Sequence, residues 1–211
     1  MIDLHCHLLP GIDDGPATID EALAMARLAV VNGITWAVLT PHIHHGRYDN
    51  TLDSITAAYL QFKAELATQC IPLGLGMAAE VRVGYEIIQL VSCGQLPFLG
   101  VMDQRNVLLV EFPHSHLPPG SEKLMGWLMD RGISPMIAHP ERNKSVIRDL
   151  DRILPFVEMG CHLQVTAGSV AGDFGGLAKK RAEQMLENGW VMVLASDAHN
   201  TKSRPPALEP G

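Results

Sequence analysis

Met1-Ile2-Asp3-Leu4-His5-Cys6-His7 opens the chain, with apolar residues at 2 and 4 alternating with Asp3, His5 and His7. On an extended strand, side chains at i and i+2 leave the same face, so the two imidazoles point the same way with Cα atoms roughly 7 Å apart. That separation lets both reach one ion. Taken alone, His-x-His is more often a half-buried strand whose imidazoles bond to backbone. The rest of the chain changes the weighting, because His42, Glu80, Glu111, His139, Asp197 and His199 each follow an apolar run. Together with Asp14 they form the candidate ligand set of one polynuclear metal site.

The same unit recurs along the chain. Residues 34–40 are a β-rich run closed by Pro41 and His42, 71–79 end in Glu80, and 107–110 run into Glu111. Residues 133–138 deliver His139-Pro140-Glu141-Arg142, and 190–195 lead to Ser196-Asp197-Ala198-His199. The strand at 161–165 ends in Thr166-Ala167-Gly168-Ser169, which offers no obvious ligand. A carboxylate closing an apolar strand is costly to bury unless it is paired or bound to metal.

Helical patterns fall between these strands. Thr18 and Glu21 form a capping box whose helix Asn32-Gly33 stops. Leu52, Ile55, Tyr59, Phe62 and Leu66 make a stripe that reads as core rather than cofactor box. Further helices are predicted over 85–91, 121–129, 146–158 and 177–186. Seven strands alternating with helices predict a parallel α/β fold with right-handed crossovers. Candidate residues at the strands' C-terminal ends are the mark of α/β barrels, so the expected architecture is a distorted seven-stranded (βα)7 TIM-like barrel. In a closed barrel the first and last strands are neighbours, which sets His-x-His beside Asp-x-His.

The length of 211 residues and 47% hydrophobic content suit one domain over 1–211. A formal charge of -7, from 23 acidic and 16 basic residues, argues against a general nucleic-acid-binding surface. The cysteines Cys6, Cys70, Cys93 and Cys161 stand singly in apolar contexts, which predicts buried free thiols in a reducing, cytoplasmic compartment. The N-terminus lacks a signal-peptide pattern, and no apolar run reaches membrane-spanning length, so direct membrane insertion is not expected.

Two groups of residues read more blandly. Asp13 and Asp14 sit in a Pro- and Gly-containing loop where aspartates commonly serve the turn; their place just beyond His-x-His makes one of them a candidate ligand. His114 and His116, in a Pro-rich loop, read as solvated.

Mixed imidazole and carboxylate ligation suits Mn, Fe or Zn better than Ca or Mg alone. Asp14, Glu80, Glu111 and Asp197 bring about four negative charges, which three divalent ions would outweigh to leave roughly +2. Such a balance attracts a phosphate dianion. Clustered ions can position a hydroxide and hold phosphoryl oxygens, which is phosphoester hydrolysis without a protein nucleophile. None of the cysteines lies in a phosphate-cradling loop, which disfavours a cysteine-based mechanism.

Asp3-Leu4-His5-Cys6-His7, the stretch from Pro10 to Gly15, Thr40-Pro41-His42, His139 to Asn143, and Ser196 to Asn200 followed by Ser203-Arg204-Pro205-Pro206 resemble the PHP (polymerase and histidinol phosphatase) superfamily. More narrowly, the sequence is similar to its bacterial protein-tyrosine phosphatases of capsule and exopolysaccharide operons. The similarity spans nearly the whole chain in order.

The resemblance implies a trinuclear centre, Mn2+ first with Fe or Zn as alternatives. One ion would take His5, His7, Glu80 and Asp197; a second would share Glu80 and add Glu111 and His139; a third would use Asp14, His42 and His199. Arg142 and Arg204 match the family's phosphate-holding arginines. The implied activity is hydrolysis of phosphotyrosine by a metal-bridging hydroxide, on the tyrosine-rich tail of a bacterial tyrosine kinase that controls polysaccharide export. Such relatives usually continue past Arg-Pro-Pro with a terminal helix, and the Pro-rich stretch from Pro205 to Gly211 predicts none here.

Three other readings compete. A small phosphomonoester such as histidinol phosphate would use the same site. Amidohydrolases share the first-strand His-x-His, but they normally have eight strands and often a modified lysine, and no Lys here ends a strand. A binding module without turnover usually lacks ligands, whereas every ligand position here is filled.

Overall fold

A computed structural model describes residues 1–209; Pro210 and Gly211, the end of the Pro-rich stretch, lie outside the described residues. The elements in order are β1 (Ile2–Cys6), α1 (Ile19–Val31), β2 (Trp36–Leu39), β3 (His42–Ile43), α2 (Leu52–Thr68), β4 (Gly74–Met77), β5 (Glu80–Arg82), α3 (Glu86–Ser92), β6 (Gly100–Met102), β7 (Arg105–Glu111) and α4 (Ser121–Met129). They continue with β8 (Ile133–Ala138), α5 (Lys144–Arg148), α6 (Leu154–Glu158), β9 (His162–Thr166), α7 (Ala167–Ala171), α8 (Gly176–Glu187) and β10 (Val191–Ala195).

The fold is α/β and the pairing mostly parallel. A single seven-stranded barrel is not what the ladders form. One sheet orders β1-β2-β4, and the other runs β10-β9-β8-β7-β5-β3 with β6 antiparallel on β7. Two of the expected strands, at 34–40 and 71–79, are each followed by a further short strand that starts on the candidate ligand, His42 or Glu80. Pro41, which has no N–H to give a ladder, separates β2 from β3, and Ala78-Ala79 separate β4 from β5. Between β1 and the residues after β10 there is an isolated parallel bridge at Cys6 and Ala198, where the His7 N–H bonds Ala198 O at 2.8 Å and the Asp197 N–H bonds His5 O at 2.8 Å. The first and last strands are therefore neighbours, as the placement of their ligand pairs requires.

β1 has its polarity reversed. Ile2 is 60% exposed, while Asp3, His5 and His7 are at most 1% exposed. Polar groups facing inward must find partners, and Asp3 accepts from the Ser196 N–H at 3.0 Å and the Ser196 hydroxyl at 2.5 Å. That pair ties the start of β1 to the end of β10.

α1 begins with the expected box, in which Thr18 Oγ1 accepts from the Glu21 N–H and the Glu21 carboxylate accepts from the Thr18 N–H. It buries Leu23, Met25, Ala26 and Ala29. The helix expected over 146–158 is interrupted: Asp149 is extended and caps a short 3-10 turn, and Pro155 can sit only in the first turn of the helix that follows. Cys6 and Cys161 are buried free thiols, but Cys70 and Cys93 are exposed at helix C-termini, contrary to expectation. No helix among the described residues is long and apolar enough to cross a membrane.

Candidate metal centre

Each candidate ligand except Asp14, which lies in the loop between β1 and α1, sits at or close to a strand end, where side chains from several elements converge. Two of them need unusual backbone: His139 (φ 34°) and Asp197 (φ 50°) are left-handed immediately after β8 and β10. For a non-glycine residue this conformation costs about 1 kcal/mol, and such strain gathers at functional sites.

The tightest group is His5, His7, Glu80 and Asp197, all buried. His5 Nε2 lies 3.3 Å from His7 Nε2, from Glu80 Oε2 and from Asp197 Oδ1. His7 Nε2 is 3.3 Å from Glu80 Oε2 and 3.6 Å from Asp197 Oδ1. A tetrahedron with ligand bonds of about 2.0 to 2.2 Å has edges of about 3.3 to 3.6 Å. These separations match the edges of such a polyhedron, with room for a cation at its centre. Glu80 Oε2 and Asp197 Oδ1 are buried atoms without a hydrogen-bond partner, as is His42 Nδ1. Buried acceptors of this kind are expensive unless a cation satisfies them, so the donor set fits a metal.

A second group joins Asp14, His42 and His199 with His7; Asp14 Oδ1 is 3.3 Å from His42 Nε2 and 3.4 Å from His199 Nε2. A third joins His42, Glu80 and Glu111. His42 Nδ1 lies 3.2 Å from Glu80 Oε2 in this group. His139 Nε2 stands beside the same two carboxylates, 2.7 Å from Glu80 Oε1 and 4.0 Å from Glu111 Oε1.

Electrostatics follow from this crowding. Burial, and then the charge of Glu80, push the Glu111 carboxyl up to about 7. Burial would raise Asp197 too, but Arg142, His5 and Arg204 hold it well below the usual carboxylate range. Burial and Arg142 lower His139 to about 4, and burial and His7 lower His199 to about 4.

Arg142 and Arg204 both reach Asp197 Oδ2, Arg204 at 2.5 Å. Each retains a buried Nε–H without a protein acceptor, and both stack on Phe174, with guanidinium to ring-centroid distances of 4.5 and 6.0 Å. Glu141, next to Arg142 in sequence, is fully buried and accepts from the Thr166 N–H at 3.1 Å and the Ser169 hydroxyl at 2.7 Å. His114 and His116 are exposed, as expected.

Three residues that support the centre lay outside the candidate set. Asp13 Oδ2 accepts from His7 Nδ1 at 2.7 Å, and Gln164 Oε1 accepts from His5 Nδ1 at 2.8 Å, so each fixes the tautomer that turns Nε2 inward. Arg82 Nη2 is 3.0 Å from Glu111 Oε2. Gln164, a polar residue inside an apolar strand, and Arg82, on Glu80's face of β5, carried legible signals.

An α/β protein with a candidate polynuclear metal centre at its strand ends is the class these features define. The chain belongs to the capsular polysaccharide synthesis CpsB/CapC family, whose model matches residues 1–211. It is 38% identical over 204 residues to tyrosine-protein phosphatase YwqE of Bacillus subtilis, covering 97% of this chain and 79% of that one. It is 34% identical over 205 residues to the putative tyrosine-protein phosphatase CapC of Staphylococcus aureus, with the same coverage, 97% and 79%. CpsB of Streptococcus pneumoniae, a tyrosine-protein phosphatase, is 29% identical over 214 residues, covering 99% and 87%. A structure from crystallographic work on YwqE and CpsB, described as unique metal-dependent tyrosine phosphatases, superposes with a TM-score of 0.91 at 36% identity, covering 99% of this chain and 83% of that one.

Proposed function

We propose that the chain is a metal-dependent protein-tyrosine phosphatase. The observation that carries this reading is the buried polyhedron of His5, His7, Glu80 and Asp197, whose Asp197 lines a cavity of about 450 Å3 together with Arg142, Arg204 and Phe174. His5, His7, Asp14, His42, Glu80, Glu111, His139, Asp197 and His199 would hold divalent ions, three in number and Mn2+ by preference. Bound there, the ions would supply an activated water and offset charge on the phosphoryl group.

The chain's own residues do the remaining work. Asp13 and Gln164 orient His7 and His5. Arg142 and Arg204, anchored on Asp197, line the cavity and would hold phosphoryl oxygens, a contact that suits a guanidinium because its donors are planar and fixed. Phe174 and Ile147 give the cavity an apolar side on which a tyrosyl ring can pack. A phenol, with a pKa near about 10, leaves more readily than an alkyl alcohol and makes less demand on a protein acid. This favours phosphotyrosine over histidinol phosphate.

The relatives' association with capsule synthesis supports a substrate in the phosphotyrosyl tail of a bacterial tyrosine kinase, with action in the cytoplasm. The two sheets, joined where β1 meets the end of β10, would serve as one distorted barrel. The test is metal analysis of protein purified without chelator, with phosphate release from a phosphotyrosyl peptide and from alkyl phosphates measured on the same sample. Bound divalent metal and faster release from the peptide are expected; equal rates on alkyl phosphates would overturn the specificity.

A further inference from the structure

The cavity carries more positive charge than the candidate centre accounts for. Its acidic lining residues, Asp14, Glu111 and Asp197, all belong to the candidate ligand groups. Of its cations, Arg82 is held by Glu111, while Arg142 and Arg204 are held by Asp197. Two others remain, Arg47 and Lys144, both exposed and neither in an ion pair among the described residues.

Both sit on anchored backbone. The Arg47 N–H bonds His44 O at 3.0 Å, and its guanidinium lies 5.0 Å from the Tyr48 ring centroid. Lys144 opens α5, and its N–H bonds His114 O at 2.9 Å. The nearby carboxylate Asp49 is engaged by the Gly46 N–H at 2.8 Å and lies 3.3 Å from His45 Nδ1. His114, at the same mouth, titrates below its ordinary value through partial burial and then the charges of Lys144, Arg142 and Arg82. In a chain of net charge -7, the mouth of this cavity is a local cationic rim.

We propose that Arg47 and Lys144 select phosphotyrosyl segments with Asp or Glu beside the phosphotyrosine, the rim meeting flanking carboxylates while the phosphate sits below. The inference rests on the phosphatase reading and names the substrate class it serves. Charges at a rim act on encounter and on selection among partners, and their effect is screened by salt.

The experiment compares three substrates on metal-loaded enzyme: free phosphotyrosine, a phosphotyrosyl peptide with Glu on both sides, and the same peptide with Gln there. At low salt the Glu peptide should show a kcat/KM about tenfold above the Gln peptide, mainly through KM, and the advantage should shrink as salt is raised. The double variant Arg47→Gln/Lys144→Gln should remove the advantage while turnover of free phosphotyrosine stays within about twofold. Equal kcat/KM for the two peptides, or an advantage that survives in the double variant, would overturn the proposal and leave the phosphatase reading standing. Failure to turn over any of the three would overturn both.

Discussion

At the scale of single residues, the centre separates groups that would touch a metal from groups that aim them. His5→Ala removes one corner of the polyhedron and should abolish phosphate release. For Asp197 the informative change is Asn rather than Ala, because Asp197 also neutralises the buried Arg142 and Arg204, and deleting it would strand two cations. Asp13→Asn and Gln164→Ala leave the ligands in place but lose their orientation. Both should weaken metal affinity by about 10- to 100-fold, read by competition with a chromogenic chelator. The imidazoles also set a pH dependence. Burial opposes protonation of His5 and His7, but Glu80 and Asp197 win at His5 and Asp13 wins at His7, so both folded values lie above 6.5. Their protonated forms stabilise the metal-free fold at low pH, and that contribution is lost as pH rises through the raised values. Metal must displace these protons, so affinity should rise with pH, by about tenfold per unit for each proton released. Calorimetry in buffers of different ionisation enthalpy measures the release directly; a buffer-independent heat would contradict it.

At the scale of elements, the turn after β8 illustrates how a buried carboxylate can be structural. Glu141 binds the Thr166 N–H and the Ser169 hydroxyl, so it pins the β8 end to the start of α7. Glu141→Ala should cost about 1 to 3 kcal/mol by leaving those donors unpaired, whereas Glu141→Gln keeps an acceptor and should recover most of it in urea unfolding. Nothing in the sequence distinguishes this Glu from a surface partner of Arg142, because the donors it satisfies lie 25 and 28 residues away. Elements with local causes were legible. The α1 cap is written in Thr18 and Glu21, the α4 bounds in 121–129, and the strand-then-ligand repeat in apolar runs. The β6–β7 hairpin was not, since its turn places Asp103 and Gln104 at positive φ without the glycine that usually announces such a turn. The division into two sheets was also hidden. It depends on how β2 and β4 each give out before β3 and β5 begin, a matter of cross-strand pairing rather than of periodicity.

At the scale of the molecule, the candidate ligands tie together distant chain segments. His5 and His7 come from β1, Glu80 from β5 and Asp197 from beyond β10, and across the β1–β10 seam the ladder is reduced to a bridge and a few hydrogen bonds. A cation at the polyhedron would cross-link that seam and cancel the repulsion among buried carboxylates. Ions that bind only the folded state stabilise it by mass action, by about 4 kcal/mol when free metal is about 1,000-fold above Kd. For a chain of this size each kcal/mol moves Tm by about 2 to 4 °C, so chelation should lower Tm by about 8 to 16 °C, and added divalent metal should restore it. His5→Ala should start near the chelated value and respond little to metal, which links the thermal shift to the polyhedron rather than to adventitious surface carboxylates. If chelation left Tm and activity unchanged in the wild-type chain, the convergence of these residues would need a cause other than metal, and the phosphatase reading would go with it.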